Sequence, residues 1–153
     1  MKLVIFSGLI ILITLNGCST LTLKPADFSW PLESVMDVNK DGFVNEERYA
    51  LSFDSRNMFI EETEDSSSYM NKKIRVIRDT KGFYFITSNN FKNVYVFNVY
   101  DGELRLENKI LISEKGIINP AFNQRSPGIE LIEGDNRHLL SNDGIINEDE
   151  NEE

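Results

Sequence analysis

Residues 93–107 read Asn-Val-Tyr-Val-Phe-Asn-Val-Tyr-Asp-Gly-Glu-Leu-Arg-Leu-Glu, and this stretch decides the fold. β-Branched and aromatic residues run as far as Tyr100. Asp101-Gly102 interrupts them, and Leu104 and Leu106 then alternate with charged residues. Asp-Gly between two such runs is a strong hairpin signal, because the favoured two-residue turn needs positive φ at both central positions. The pattern predicts a strand over 93–100 and its antiparallel return over 103–107, with Ile110-Leu111-Ile112 continuing past a bulge.

Working outward, the same grammar repeats. Lys73 to Arg78 is a β-branched run, Asp79-Thr80-Lys81-Gly82 is a turn tetrad, and Phe83 to Thr87 is the returning strand. Ser88-Asn89-Asn90 turns again into the stretch that starts at Asn93. Further on, Ile129 to Ile132 and Arg137 to Leu140 flank Gly134-Asp135-Asn136 and form another expected hairpin. On the N-terminal side, Arg48 to Phe53 alternates strongly, placing Tyr49, Leu51 and Phe53 on one face of a strand. Helical turns are expected at most near Pro31–Ser34 and Asn57–Glu62. Turn signals at intervals of about 8–12 residues point to an all-β fold: an antiparallel meander forming a small sandwich or open barrel over 28–141. Its core is expected from the inward-facing aromatic and β-branched residues.

Composition excludes several classes. The 153 residues include one Cys, so there is no internal disulfide framework and no cysteine-based zinc cluster. A single His excludes a multi-histidine metal site. A net charge of −9 argues against nucleic acid, whose affinity comes from Lys and Arg neutralising phosphates. Much of the acidity lies in 142–153, where Asp143, Glu148, Asp149, Glu150, Glu152 and Glu153 stand without a Lys or Arg, as expected of an acidic disordered tail.

The opening residues have the order of an export signal. Lys2 precedes an apolar run from Leu3 to Leu15. That run would span about 20 Å as a helix, short of the ~30 Å hydrocarbon core, so it reads as a signal peptide and not a membrane span. Leu15-Asn16-Gly17-Cys18 resembles the bacterial lipobox, with an aliphatic residue at −3, a small one at −1 and then the cysteine. The resemblance implies removal of 1–17, acylation of the Cys18 sulfur and of its new amino group with palmitate-like chains, and a lipidated tether over 18–27. Two or more acyl chains anchor firmly where one binds marginally. Ser19 stands where inner-membrane-retained lipoproteins of enteric bacteria usually carry Asp, which implies sorting to the cell outer membrane.

Asp37 to Arg48 resembles, in part, a calcium loop of the EF-hand or dockerin type. Asp37, Asn39, Asp41 and Asn45 fall at loop positions 1, 3, 5 and 9, Gly42 at 6, and the Phe43 carbonyl at 7. Calcium takes six to eight oxygens, and the bidentate carboxylate that closes the shell belongs at position 12. That position is Arg48, and a strand follows where the motif needs a helix. The preferred reading is a hairpin turn, Asn39-Lys40-Asp41-Gly42, joining 34–38 to 44–53; a Ca2+ site is the alternative.

Catalytic signatures are thin. There is no G-x-S-x-G elbow, phosphate loop or H-E-x-x-H helix. His138 reads as a surface or edge strand residue, and residues 61–72, with Glu61-Glu62 and Ser66-Ser67-Ser68, as a solvated loop. Lys72, Lys73, Arg75 and Arg78 form the one basic patch, read as a solvated face. The expectation is an outer-membrane-anchored lipoprotein, without cofactor or enzymatic activity, acting as a binding or envelope-accessory module toward an envelope protein. The alternative is a periplasmic inhibitor or immunity protein against an envelope hydrolase or toxin.

Overall fold

A computed structural model of the chain describes residues 29–147, so Cys18, the signal and tether readings over 1–27, and the tail from 148 onward lie outside the described residues. The elements in order are β1 (Ser34–Asp37), β2 (Phe43–Glu46), β3 (Leu51–Asp54), α1 (Arg56–Thr63), β4 (Lys73–Arg78), β5 (Tyr84–Ser88) and β6 (Asn93–Tyr100). They continue with β7 (Glu103–Leu111), β8 (Ala121–Arg125), β9 (Gly128–Glu133), β10 (Asn136–Ser141) and β11 (Gly144–Ile145). The fold is all-β and antiparallel, and its sheets are open. A five-stranded sheet runs β1-β4-β5-β6-β7, a four-stranded sheet β11-β10-β9-β8, and β2-β3 is a separate ribbon.

The β6–β7 hairpin forms as its sequence dictates. Asp101 and Gly102 take φ of 52° and 81°, and Tyr100 pairs with Glu103. A bulge follows: Val96 faces Asn108 while Phe97 faces Leu106, leaving Glu107 unpaired. The extra residue keeps Ile110 opposite Val94, both buried, while Leu104 and Leu106 sit opposite Val99 and Phe97.

Strand alternation gives the middle sheet two apolar faces. Ile74, Val76, Ile86 and Tyr95 share the face packed by the β2–β3 ribbon and α1, which contribute Val44, Leu51, Met58 and Phe59. Ile77, Phe85, Val94 and Val96 share the other face, which meets the four-stranded sheet with Phe122, Ile129, Leu131 and Leu140. Each fully buried aliphatic or aromatic side chain here contributes about 1.5–3 kcal/mol relative to exposure. Two polar clamps join the layers. Gln124 Nε2 donates to the carbonyls of Trp30 (3.0 Å) and Arg78 (2.6 Å). Glu33 pairs with Arg75 through one oxygen and accepts Phe122 N at 3.0 Å through the other.

Several expectations are corrected. The stretch 48–53 is not one strand: Glu47–Tyr49 is a 3-10 turn and Ala50 takes φ 50°, so β2 folds back on β3 with Glu46 opposite Leu51. Local polar chemistry beats alternation there. Glu46 accepts Arg48 N and also binds its guanidinium, while Trp30 stacks on Tyr49 at 4.0 Å. The expected 34–38 to 44–53 hairpin is likewise absent among the described strands: β1 pairs with β4, and the turn at Asn39 hands the chain from the middle sheet to the ribbon. Pro31–Ser34 makes no helical turn, since Leu32 bridges to Asn123 of β8. Glu61 and Glu62 lie in α1 and not in a loop. The tail reading over 142–153 fails at its start, where Gly144 and Ile145 pair with Ser141 and Leu140. Ile145 stays exposed and Ile146 is half-buried, so backbone pairing seats this segment, with Ile146 N donating to Leu139 O at 2.7 Å.

Candidate functional site

A half-open groove of about 260 Å³ lies between α1 and the β6–β7 hairpin. Its walls are Phe53 and Met58 on one side and Tyr95, Phe97, Leu104 and Leu106 on the other, with Asp54, Asn57 and Glu61 at the rim. The elements converge for identifiable reasons. Ser55, just before the helix, donates its hydroxyl to Gly42 O at 2.8 Å, tying α1 to the turn before β2. Glu62 reaches from the helix to the middle sheet, accepting Lys92 N at 2.6 Å and Asn93 Nδ2 at 2.9 Å. Glu61 pairs with Lys109 of β7, whose ammonium lies 5.7 Å from the centroid of the Tyr95 ring.

Tyr95 is the one buried side chain among the described residues whose polar atom finds no partner in good hydrogen-bond geometry, although the Glu62 and Glu61 carboxylates stand close enough to draw on its proton. It is 1% exposed. Burial, then the neighbouring Glu62 and Glu61 carboxylates, push its hydroxyl well above the ordinary tyrosine range. At neutral pH it is an un-ionised donor held in an apolar wall beside two carboxylates. The other rim charges are engaged: Arg56 Nη2 meets Asp54 at 2.5 Å and holds that carboxyl below its usual range. The groove therefore offers an apolar floor with one buried hydroxyl, suited to holding an apolar group that brings a polar atom. Sequence reasoning missed it. Tyr95 reads as an ordinary core residue by alternation, and an eight-residue helix is too short to reveal its buried Met58 and Phe59 by periodicity.

The four candidate calcium ligands are distributed as follows. Asn39 Oδ1 accepts the backbone N–H groups of Asp41 and Phe43, each at 2.9 Å, so its oxygen closes a turn. Asp37, exposed at the end of β1, lies 3.5 Å from Lys73 Nζ. Asp41 is exposed in the turn, and Asn45 is exposed in β2 opposite Ser52. Arg48 does not face this loop with its charge: its guanidinium binds Glu46 and Ser34 Oγ (3.0 Å). Among the described residues no group of three or more His, Cys, Asp or Glu is placed to hold a metal.

The basic patch is divided by its neighbours. Lys73 and Arg75 sit opposite Asp37 and Val35 of β1 and pair with Asp37 and Glu33, while Arg78 lies over the Tyr84 ring. His138 lies on β10 opposite Leu131, half-buried, within a second concavity of about 480 Å³ beside Arg125 and Arg137. Both arginines bind the buried Glu130, at 2.8 and 3.6 Å, and hold its carboxyl below the usual range, Arg125 most strongly.

No family model, curated protein or solved structure matches the chain. Among the described residues no helix is long and apolar enough to cross a membrane.

Proposed function

We propose that the chain is an outer-membrane lipoprotein, anchored through Cys18, whose β-domain is a non-enzymatic binding module with its site in the groove between α1 and the β6–β7 hairpin. The observation that carries the binding role is the Tyr95 hydroxyl, buried in the wall of a largely apolar groove with no well-aligned acceptor, the Glu62 and Glu61 carboxylates lying beside it. A buried donor left without a well-aligned partner costs about 1–3 kcal/mol, a cost relieved when an occupant's entry brings an acceptor to it or realigns the neighbouring carboxylates. The carboxylates nearby favour binding over catalysis: Glu61, Glu62 and Asp54 each already hold a cation or backbone amide.

The test is affinity capture from detergent-solubilised envelopes with the natural chain and with Asn57→Arg. Asn57 is exposed at the groove rim, so the longer cation blocks entry without touching the core. The reading expects an envelope protein recovered by the natural chain and lost with the variant at equal melting temperature. Equal recovery by both contradicts it. Recovery of a hydrolase or toxin whose activity the natural chain suppresses moves the role to inhibitor or immunity protein.

A further inference from the structure

The N-terminal end of the described residues and a partly exposed apolar stripe lie at the same end of the middle sheet. Trp30 N donates to Arg78 O at 3.0 Å, and the Trp30 ring packs edge-on against Tyr84 at 5.5 Å. Arg78 pairs with Tyr84, and Tyr84 with Phe97. Trp30, near the N-terminal end of the described residues, thus stands beside the row that leads to the hairpin tip, on the Tyr84–Phe97 face. One step beyond that row, on the same face, Val99 stands opposite Leu104, with Leu106 beside them opposite Phe97. Val99 is 45% and Leu106 47% exposed.

We infer that this end of the domain rests on the bilayer, with Val99, Leu104 and Leu106 seated in the outer edge of a zwitterionic membrane. The inference rests on the lipoprotein reading. Trp30 lies twelve residues beyond Cys18, a stretch that reaches at most about 40 Å, so the anchor holds that end of the domain within reach of the lipid surface. Tyr100, on the other face of the hairpin tip, is more than half exposed and covered by Arg105 at 4.1 Å, an amphipathic side chain that suits headgroup depth when the tip meets the bilayer end-on. Asp101, Glu103 and Glu107 flank the stripe and outnumber Arg105, so charge does not draw it to anionic lipid. Apolar contact carries the docking. An occupant of the groove, which shares Leu104 and Leu106, is then met at the membrane surface.

The test reconstitutes the mature, lipidated full chain in phosphatidylcholine vesicles. Acylation blocks the sulfur of Cys18, the only natural cysteine, so Val99→Cys carries the sole thiol for an environment-sensitive fluorophore. Asn89→Cys, in the exposed turn at the opposite end of the sheet, is the reference. The expected result is emission shifted to shorter wavelength at position 99, quenched by lipids brominated near the headgroup, with neither effect at 89. Substitution of anionic lipid should weaken the shift. Water-like emission at both positions in vesicles that carry the floated protein overturns the docking while leaving the anchor intact. Failure of the chain to float overturns the anchor, and the docking with it. A shift at 99 that appears without vesicles and grows with protein concentration assigns the stripe to a second copy and also overturns the docking.

Discussion

Asn39 and Asp79 close the same turn. Each side-chain Oδ1 accepts the N–H groups two and four residues ahead, at 2.9 Å: Asp41 and Phe43 for Asn39, Lys81 and Phe83 for Asp79. In each, the glycine N–H donates to the first residue's carbonyl, at 3.0 Å for Gly42 and 3.3 Å for Gly82. The second copy keeps only one of the four oxygen ligands that made 37–48 resemble a calcium loop, Asp79 in the place of Asn39, with Ile77, Lys81 and Phe85 at the other three. The first copy is therefore accounted for by turn chemistry alone. Millimolar calcium is expected to leave the melting temperature unchanged, whereas Asn39→Ala should lower stability by about 1–2 kcal/mol through lost turn bonds. A calcium-dependent rise of several degrees that vanishes in Asp41→Ala would restore the metal reading.

Gly42 has two reasons to be glycine. Its φ is +85°, and an added Cβ would lie 2.1 Å from Arg56 Cγ. Arg56 is held in that place by Asp54 and by the Phe43 ring, 5.9 Å from its guanidinium carbon. Gly42→Val should cost about 2–4 kcal/mol in denaturant unfolding, combining backbone strain with displacement of the arginine. Gly102, also at positive φ but with open space around it, gives the comparison: Gly102→Ala should cost about 1 kcal/mol, from backbone strain alone.

Acid stability depends on Glu46. Hydrogen bonding from Arg48, with Ser34 and the Arg48 backbone assisting, overcomes burial and brings its carboxyl down from 4.5 to about 2. A depressed folded value means the contribution is complete above pH 4.5 and is lost as pH falls from there toward 2. Because the Arg48 side chain is 68% exposed, the contribution is discounted to about 1–2 kcal/mol. Urea unfolding at pH 6 and at pH 2.5 should differ by less in Glu46→Gln than in the natural chain. An unchanged difference would show that Glu46 does not carry the effect.

Tyr95→Phe removes the hydroxyl that lacks a well-aligned partner and keeps the ring packing against Phe91. Without an occupant in the groove, the variant should be as stable as the natural chain or more stable by up to about 1 kcal/mol. Captured partner should bind it less well. A loss of more than about 1 kcal/mol in thermal unfolding would mean that the hydroxyl has a partner within the fold.

Legibility in the sequence followed the physics of each segment. β4, β6 and β10 were readable because β-branched alternation and turn residues agree, as they do around Asp101-Gly102. The bulge was readable because the apolar phase slips between Leu106 and Ile110. The 43–54 ribbon was not, because its turn is closed by the Glu46–Arg48 pair and an αL alanine, and a propensity pattern contains neither. β8 was missed for a related reason: Ala121-Phe122-Asn123-Gln124-Arg125 carries one large apolar residue, and its strand exists through pairing with β9 and the Gln124 and Glu33 clamps. The groove needed the helix, ribbon and hairpin assembled together, so no single segment announced it.

The lipid anchor rests on Cys18, and mass spectrometry of the mature N-terminus from purified envelopes reads its chemistry. Residues 1–17 should be absent and Cys18 should be the first residue, carrying a diacylglyceryl group on sulfur and a fatty acyl chain on its amino nitrogen. Cys18→Ser should leave an uncleaved precursor. A chain retaining Met1, or one beginning elsewhere with an unmodified Cys18, would contradict the lipid anchor and the membrane-facing orientation built on it.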